Sequence, residues 1–194
     1  MKKIITQEER VKLNKRNQLF MGIILMLLMI FSTIAFAFSN FERTNYQEKI
    51  KYNDMEFVKD SNGYWAFEIN GNKFYSLYNP HEISSIKFSS DKKIEDYSNQ
   101  PLYFVGEIGE GFSELYRVLS NYALRISNAC LDKNCKENYP LKNCDSDNII
   151  IIEEVKKDEE EIIINDKKCV FIKAKKENEG KYADAYLFSL LRIT

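Results

Sequence analysis

Four cysteines are the residues through which this sequence most plainly suggests chemistry. They are Cys130, Cys135, Cys144 and Cys169, in a chain of 194 residues. In an oxidising compartment an even number of cysteines predicts structural disulfides, here with three possible connectivities. We favour Cys130–Cys135 and Cys144–Cys169, because Cys144 and Cys169 each open a predicted strand and can meet at the same end of a sheet.

Two other kinds of cysteine chemistry remain open. A tetrahedral metal site usually takes its ligands in tight pairs, which the eight residues between Cys135 and Cys144 fit poorly. Thiol–disulfide catalysis usually relies on Cys-x-x-Cys at the N-terminus of a helix. Here four residues separate Cys130 from Cys135, and the pair follows a predicted helix C-terminus, where the helix dipole disfavours a thiolate. The spacing therefore favours disulfides over a metal site or reactive thiols.

A second set of residues is aromatic and could bind a partner. Two predicted, paired strands carry Tyr64, Trp65, Phe67, Phe74, Tyr75 and Tyr78. Core packing takes part of this set in any fold, and the face that does not pack inward would present an aromatic strip. Such a strip is typical of surfaces that bind a sugar, a peptide or the edge of another protein. The sequence therefore predicts a binding surface on these two strands.

Enzymatic chemistry has weaker signals. Glu107 and Glu110 lie where an apolar predicted strand ends, and ligands favour the C-terminal ends of strands, so a hydrolase site would be expected near these two acids. The glycines around them lack the spacing of a dinucleotide or Walker phosphate loop. The single histidine, His81, excludes zinc centres that need two or more, and no nucleophile pattern lies near it. No catalytic residue and no metal ligand is predicted.

The aromatic residues belong to a predicted antiparallel β meander. Strands are expected over 55–59, 64–69 and 72–78. Asn70-Gly71 separates the last two strands, and this dipeptide favours a two-residue hairpin turn because both of its positions need positive φ. The proline of Asn79-Pro80 ends the meander, since proline cannot donate to a strand ladder.

The remaining elements mix strands and helices. An apolar strand is predicted over 102–108, and a helix capped by Ser113 follows. Its apolar stripe runs as far as Ala129, and its polar, solvent-facing side carries Glu114 and Arg117. A second meander is predicted with strands over 149–155, 162–165 and 169–175, and a closing apolar helix is predicted over 182–193. Because strands cluster rather than alternate with helices, we predict an α+β fold with a mostly antiparallel sheet, made of two meanders, and two packed helices.

The N-terminal part carries the strongest single signal. Residues 19–38 hold no charged side chain, and twenty helical residues span about 30 Å, the thickness of the hydrocarbon core of a bilayer. Six basic and two acidic side chains precede this span, and no basic excess follows it. The positive-inside rule therefore predicts that residues 1–18 form a cytoplasmic leader and residues 19–38 a transmembrane signal anchor. A tether over 39–49 and an extracytoplasmic domain over 50–194 follow.

Two alternatives to an uncleaved anchor remain. Ala35-Phe36-Ala37 has the small-x-small form of a signal-peptidase site, but the apolar run exceeds the roughly 7–15 residues usual in a signal peptide. Lys15-Arg16-Asn17-Gln18 precedes the span as in a pilin-like leader, but the small residue that normally precedes that cut is absent. All three interpretations place the folded part outside the cytoplasm.

Three C-terminal motifs carry a resemblance to other proteins. They are LKNCDSDNIIII, KKCVFIKA and ADAYLFSLLRI, all within residues 141–194, with a looser echo in YWAFEINGNKFY. With the N-terminal span, these segments resemble uncharacterised single-pass membrane-anchored proteins of small-genome archaea. The resemblance implies an anchored domain, and it transfers no catalytic residue.

Charge narrows the choice of partner. The chain has 28 basic and 29 acidic side chains, and this net charge of −1 argues against a nucleic-acid partner. We predict a membrane-anchored extracytoplasmic domain that needs no cofactor and acts as a non-enzymatic binding or envelope-assembly protein, with a protein or a surface polymer as partner. The alternatives are an extracytoplasmic hydrolase, a thiol–disulfide protein and a pilin-like subunit.

Overall fold

The computed structural model describes residues 7–41, 48–86, 88, 90–133, 135 and 138–193. The chain divides into two compact units, Met1–Tyr46 and Gln47–Thr194. The first unit contains one helix, and the second contains two sheets and two further helices.

The first unit is built on helix α1, Gln7–Phe41. Its segment Lys15–Phe36 is long and apolar enough to cross a membrane, and the side chains of this segment are exposed. The predicted uncharged run, 19–38, agrees with this finding, because it lies almost wholly inside Lys15–Phe36. Within the predicted tether, 39–49, α1 continues to Phe41 and a strand begins at Lys49. Residues 42–47 lie outside the described part of the chain.

The second unit begins with a four-stranded antiparallel sheet in the order β1-β2-β3-β4. Its strands are β1 (Lys49–Tyr52), β2 (Met55–Lys59), β3 (Trp65–Ile69) and β4 (Asn72–Ser76). Asn70 and Gly71 join β3 to β4 with φ of 51° and 78°, the positive values that a two-residue hairpin turn needs. β1 was not predicted, because its sequence KIKY is short and offers only Ile50 and Tyr52 as apolar residues.

A five-stranded mixed sheet follows, in the order β6-β5-β7-β9-β8. Its strands are β5 (Pro101–Val105), β6 (Arg125–Asn128), β7 (Asn148–Glu154), β8 (Ile162–Asp166) and β9 (Cys169–Ala174). β5 runs parallel to β6 and β7, β7 runs parallel to β9, and β8 runs antiparallel to β9. The helices of this unit are α2 (Glu110–Leu119) and α3 (Glu179–Leu190).

The predicted α+β class is confirmed, and the arrangement of the last three strands differs from a meander. β7 pairs in parallel with β9, and β8 lies at the edge of the sheet. The four isoleucines of β7, Ile149–Ile152, are all buried, and a strand buried on both faces needs a neighbour on each side. β8 leaves Ile164 40% exposed, which suits an edge position.

The predicted long helix after β5 is wrong in its extent. α2 begins at Glu110, with Gly109 as its N-cap, and Ser113 lies inside the helix, where its hydroxyl donates to the Gly109 carbonyl at 2.9 Å. The helix ends at Leu119, and Ile126, assigned to the helix by its spacing, lies in β6 opposite Leu102. A short apolar stretch can fit helical spacing by coincidence, and here the turn at 120–124 and the pairing with β5 decide the structure.

The core surrounds α3, which contacts both sheets. The Phe188 ring lies 6.0 Å from that of Phe57 and 5.6 Å from that of Phe67, which belong to β2 and β3. On its other side α3 packs against β9, whose Val170 and Ile172 are fully buried. A helix that is apolar around most of its circumference is expected to be buried, and α3 meets that expectation inside this unit.

The two disulfides join the pairs that we favoured. Cys130 bonds to Cys135 and Cys144 to Cys169, with Cα–Cα separations of 5.9 and 5.0 Å. Cys169 is buried beside Tyr103, Ile149 and Ile151, on the face of the mixed sheet opposite to α3. The cysteine-containing loop is therefore fixed to the sheet by a bond from Cys144 to the start of β9.

Candidate functional site

The six predicted aromatic residues divide into a buried and an exposed group. Trp65, Phe67 and Phe74 point inward and are buried in the core. Tyr64, Tyr75 and Tyr78 are half-buried. The alternation of side chains along β3 and β4 explains the division, because Phe67 lies opposite Phe74 on the inner face and Ala66 lies opposite Tyr75 on the outer face.

Arg117 of α2 brings two of the exposed tyrosines together. Its guanidinium carbon lies 4.5 Å from the centre of the Tyr64 ring, and its Nη2 donates to the Tyr75 carbonyl oxygen at 3.1 Å. Tyr78 lies apart from this pair, where the chain leaves β4, and its backbone N–H donates to Asp184. The sequence placed Arg117 on the solvent-facing side of a helix and did not predict its role in joining α2 to β4.

The outer face of the four-stranded sheet carries an open groove of about 600 Å³, which we call the outer groove. Its lining includes the side chains of Val58, Ala66, Tyr75, Glu56, Glu68 and Lys73. Ala66 forms a low point because its small side chain lies opposite the much larger Tyr75 on the neighbouring strand. An aromatic ring above a shallow, charged surface is suited to binding and does not by itself support catalysis.

Charge in the outer groove is mixed. The ammonium group of Lys49 on β1 lies 2.8 Å from Glu56, and this hydrogen bond lowers the pKa of the Glu56 carboxyl. Lys73 lies directly opposite Glu68 on the neighbouring strand, and its Nζ lies 5.3 Å from the centre of the Tyr75 ring. Opposite charges on paired strands stabilise the sheet, and both remain accessible to a partner.

A second depression, of about 550 Å³, runs along the free edge of β4, and we call it the edge trough. β4 supplies Asn72, Lys73, Phe74 and Tyr75 to its lining, and Val118, Asn121 and Tyr122 join Arg117 on the other side. Lys73 and Tyr75 line both depressions. The exposed part of the predicted aromatic surface therefore centres on Tyr75.

A buried acidic cluster fastens the four-stranded sheet to the helices. Asp184 of α3 is fully buried, and its Oδ2 accepts hydrogen bonds from the backbone N–H groups of Leu77 and Tyr78, both at 2.8 Å. Glu114 of α2, which the sequence placed on the polar face, is 3% exposed and pairs with Arg117. Burial raises the pKa of both carboxyls, and for Asp184 the charge of Glu114 raises it further. The cluster is enclosed, so its role is structural.

Glu107 and Glu110, the expected location of any hydrolase site, are held by separate contacts. Lys176 places its Nζ 3.6 Å from a Glu107 oxygen and 3.6 Å from an oxygen of the buried Glu179. The Glu110 carboxylate lies against Gly180 at the start of α3. The charge of Glu179 raises the pKa of Lys176, so this lysine is a protonated ion-pair partner. The arrangement joins the N-terminal ends of α2 and α3.

The remaining candidates for chemistry are His81 and any cluster of metal-binding side chains. The His81 ring makes an edge contact with Tyr52 at 5.3 Å, and its backbone N–H donates to the side chain of Asn79 within a turn. Across the described parts of the chain, no group of three or more histidine, cysteine, aspartate or glutamate side chains could hold a metal ion. The outer groove and the edge trough present Tyr75 and Lys73 to a partner.

Comparison with protein-family models, with curated proteins and with solved structures finds no match to this chain.

Proposed function

We propose that this chain is a membrane-anchored protein whose disulfide-bonded domain lies on the extracytoplasmic side and acts by binding a partner through the surface around Tyr75. The observation that carries the proposal is the pairing of both cysteine pairs in a chain that also has one apolar helix long enough to cross a membrane. Structural disulfides persist in oxidising compartments and are rare where thiols are kept reduced.

The orientation follows from charge. Six of the eight charged residues before the apolar run are basic, and the positive-inside rule retains such a leader in the cytoplasm. The domain after the helix then reaches the oxidising side, where the disulfides can form. An anchored domain of this kind can meet envelope components and other surface proteins, in agreement with a binding or envelope-assembly role.

Binding is favoured over catalysis by the positions of the polar groups. Tyr75, Lys73 and Glu68 are accessible on the outer face of a rigid antiparallel sheet. The two acids expected at a hydrolase site contact different parts of the chain, since Glu107 is exposed and lies 3.6 Å from Lys176 while Glu110 lies against Gly180. Two depressions that share Lys73 and Tyr75, one on the outer face of the sheet and one beside a helix, are suited to holding an elongated partner.

The location is tested by labelling the full chain in intact cells with an amine reagent that cannot cross membranes. Exposed lysines of the domain, such as Lys51 and Lys156, should react, whereas Lys2 and Lys12 of the leader should react only after permeabilisation. Peptide mass spectrometry reads both sets in one sample, so each set is the control for the other. Labelling of the leader alone would contradict the orientation, and a mature chain without the leader would contradict the anchor.

A further inference from the structure

We propose that the edge trough binds an extended peptide segment, which adds to β4 as a fifth strand and carries alternating acidic and small apolar side chains. The inference rests on the proposed binding function and names the class of partner. Its basis is the combination of a free strand edge, a depression along that edge, and cationic side chains on the lining of the depression. A strand added to an exposed sheet edge is a common mode of peptide recognition.

The hairpin geometry fixes which backbone groups face the trough. In a hairpin with a two-residue turn, the residues that flank the turn form a hydrogen-bonded pair, and such pairs then alternate along the strands. Ile69–Asn72 and Phe67–Phe74 are therefore the hydrogen-bonded pairs of β3 and β4. The N–H and C=O groups of Lys73 and Tyr75 point away from β3, towards the trough.

Arg117 supports this assignment and limits the length of the free edge. Its Nη2 donates to the Tyr75 carbonyl oxygen, which is possible only because that oxygen faces away from β3. The edge then offers the N–H and C=O of Lys73 and the N–H of Tyr75 to an incoming strand. An antiparallel partner would exchange two hydrogen bonds with Lys73, and a further carbonyl oxygen of the partner would accept a hydrogen bond from the Tyr75 N–H.

Charge selects the side chains of the incoming strand. Both charged residues on the described lining of the edge trough, Lys73 and Arg117, are cations. Arg117 is paired with Glu114, so Lys73 is the cation that an incoming strand would meet. Directly opposed residues in a sheet project from the same face, so a residue paired with Lys73 would place its side chain beside the Lys73 ammonium and the Tyr75 ring. A carboxylate fits that position. The next side chain would point to the other face, towards Val118 and Tyr122, where a small apolar group fits.

The test measures binding of a fluorescein-labelled peptide of alternating valine and glutamate to the full chain in detergent micelles, by fluorescence anisotropy. We expect saturable binding below about 1 mM, and about tenfold weaker binding to the Lys73→Glu variant, since a tenfold change corresponds to 1.4 kcal/mol. Lys51→Glu is the matched control, because Lys51 is an exposed lysine of the same sheet on the far edge strand. It should leave the affinity unchanged.

Backbone pairing is tested separately with two methylated peptides. Only alternate amides of an added antiparallel strand face β4, so N-methylation of the glutamates should abolish binding and N-methylation of the valines should be tolerated. Equal binding of the two methylated peptides, or no binding of the parent peptide, would overturn the inference. If Lys73→Glu leaves the affinity unchanged, Lys73 acts only to discourage pairing of the sheet edge, which also overturns it.

The experiments distinguish a failure of the proposed location from a failure of the proposed peptide binding. External labelling of the domain lysines together with absence of peptide binding would remove the peptide partner and leave the proposed location intact. Peptide binding by a chain whose domain is labelled only after permeabilisation would overturn the location and leave the edge trough as a binding site.

Discussion

Replacing Asp184 by alanine is expected to lower the free energy of unfolding of the domain by about 4 kcal/mol, since it removes one side of a buried, hydrogen-bonded network. The carboxylate is fully buried and accepts the N–H groups of Leu77 and Tyr78. Without it, both N–H groups stay buried with no acceptor. Chemical denaturation of the full chain in detergent measures the loss, followed by fluorescence of Trp65, the single tryptophan, which is 1% exposed.

Asp184→Asn is the matched control, because its amide oxygen can still accept both N–H groups. We expect it to cost less than about 1 kcal/mol, within the ordinary range for an isosteric change that keeps its hydrogen bonds. An equal loss for the alanine and asparagine variants would contradict the account of Asp184 as a hydrogen-bond acceptor.

The same cluster gives the domain a pH dependence. Burial raises the folded-state pKa of Asp184 and Glu114, and Glu114 adds to the effect at Asp184, while Arg117 lowers both values. A carboxyl with a raised folded-state pKa stabilises the fold fully below its usual pKa, 3.8 for aspartate, and loses that contribution as the pH rises through the raised value. Glu110 and Tyr78 also face the cluster. Asp184→Asn combined with Glu114→Gln should flatten this part of the profile.

Removing the Cys144–Cys169 disulfide by a double change to alanine is expected to cost about 3.5 kcal/mol by the chain-entropy model. The bond closes a segment with a sequence separation of 25 residues, which contains β7 and β8, and it joins Cys144 to the buried start of β9. The double change at Cys130 and Cys135 is the control, and its separation of 5 residues gives only about 2 kcal/mol.

Denaturation of the three oxidised chains under the same conditions measures both losses. If the short-loop variant lost more stability than the long-loop variant, loop closure would not explain the contribution of the disulfides. If neither variant lost stability, the disulfides would not contribute to the free energy of unfolding of this domain.

Local sequence patterns predicted a hairpin, a buried strand and an apolar helix. Asn70-Gly71 fixed the hairpin of β3 and β4 because few other dipeptides accept two positive φ values. The isoleucine run predicted a buried strand, and β7 occupies the centre of the mixed sheet. The uncharged N-terminal run predicted a helix that could span a membrane.

Features that depend on distant parts of the chain were not predictable. The insertion of β9 between β7 and β8 depends on long-range pairing, which no local pattern encodes. Glu114 was placed on an exposed face because the rule for surface helices assumes one buried side, and α2 contacts the four-stranded sheet as well as α3. An aspartate within the apolar segment ADAYLFSLL was the available signal for Asp184, since a charged group in a buried helix needs partners.

The candidate site was predicted in part. Tyr75 and its neighbours on β4 were named from the sequence, and the structure leaves Tyr75 at the junction of the two depressions. The other wall of the edge trough, formed by Arg117, Asn121 and Tyr122, comes from α2 and the turn after it. Its approach to β4 follows from the packing of the helix and could not be read from the spacing of these residues.

The proposed location requires the domain to fold in an oxidising compartment with all four cysteines paired. This pairing is tested by the intact mass of the full chain, purified from membranes and treated with an alkylating reagent before and after reduction. Full pairing predicts no adduct on the unreduced chain and four adducts after reduction, one for each of Cys130, Cys135, Cys144 and Cys169. Two or more adducts before reduction would contradict it and would favour a domain on the reducing side of the membrane.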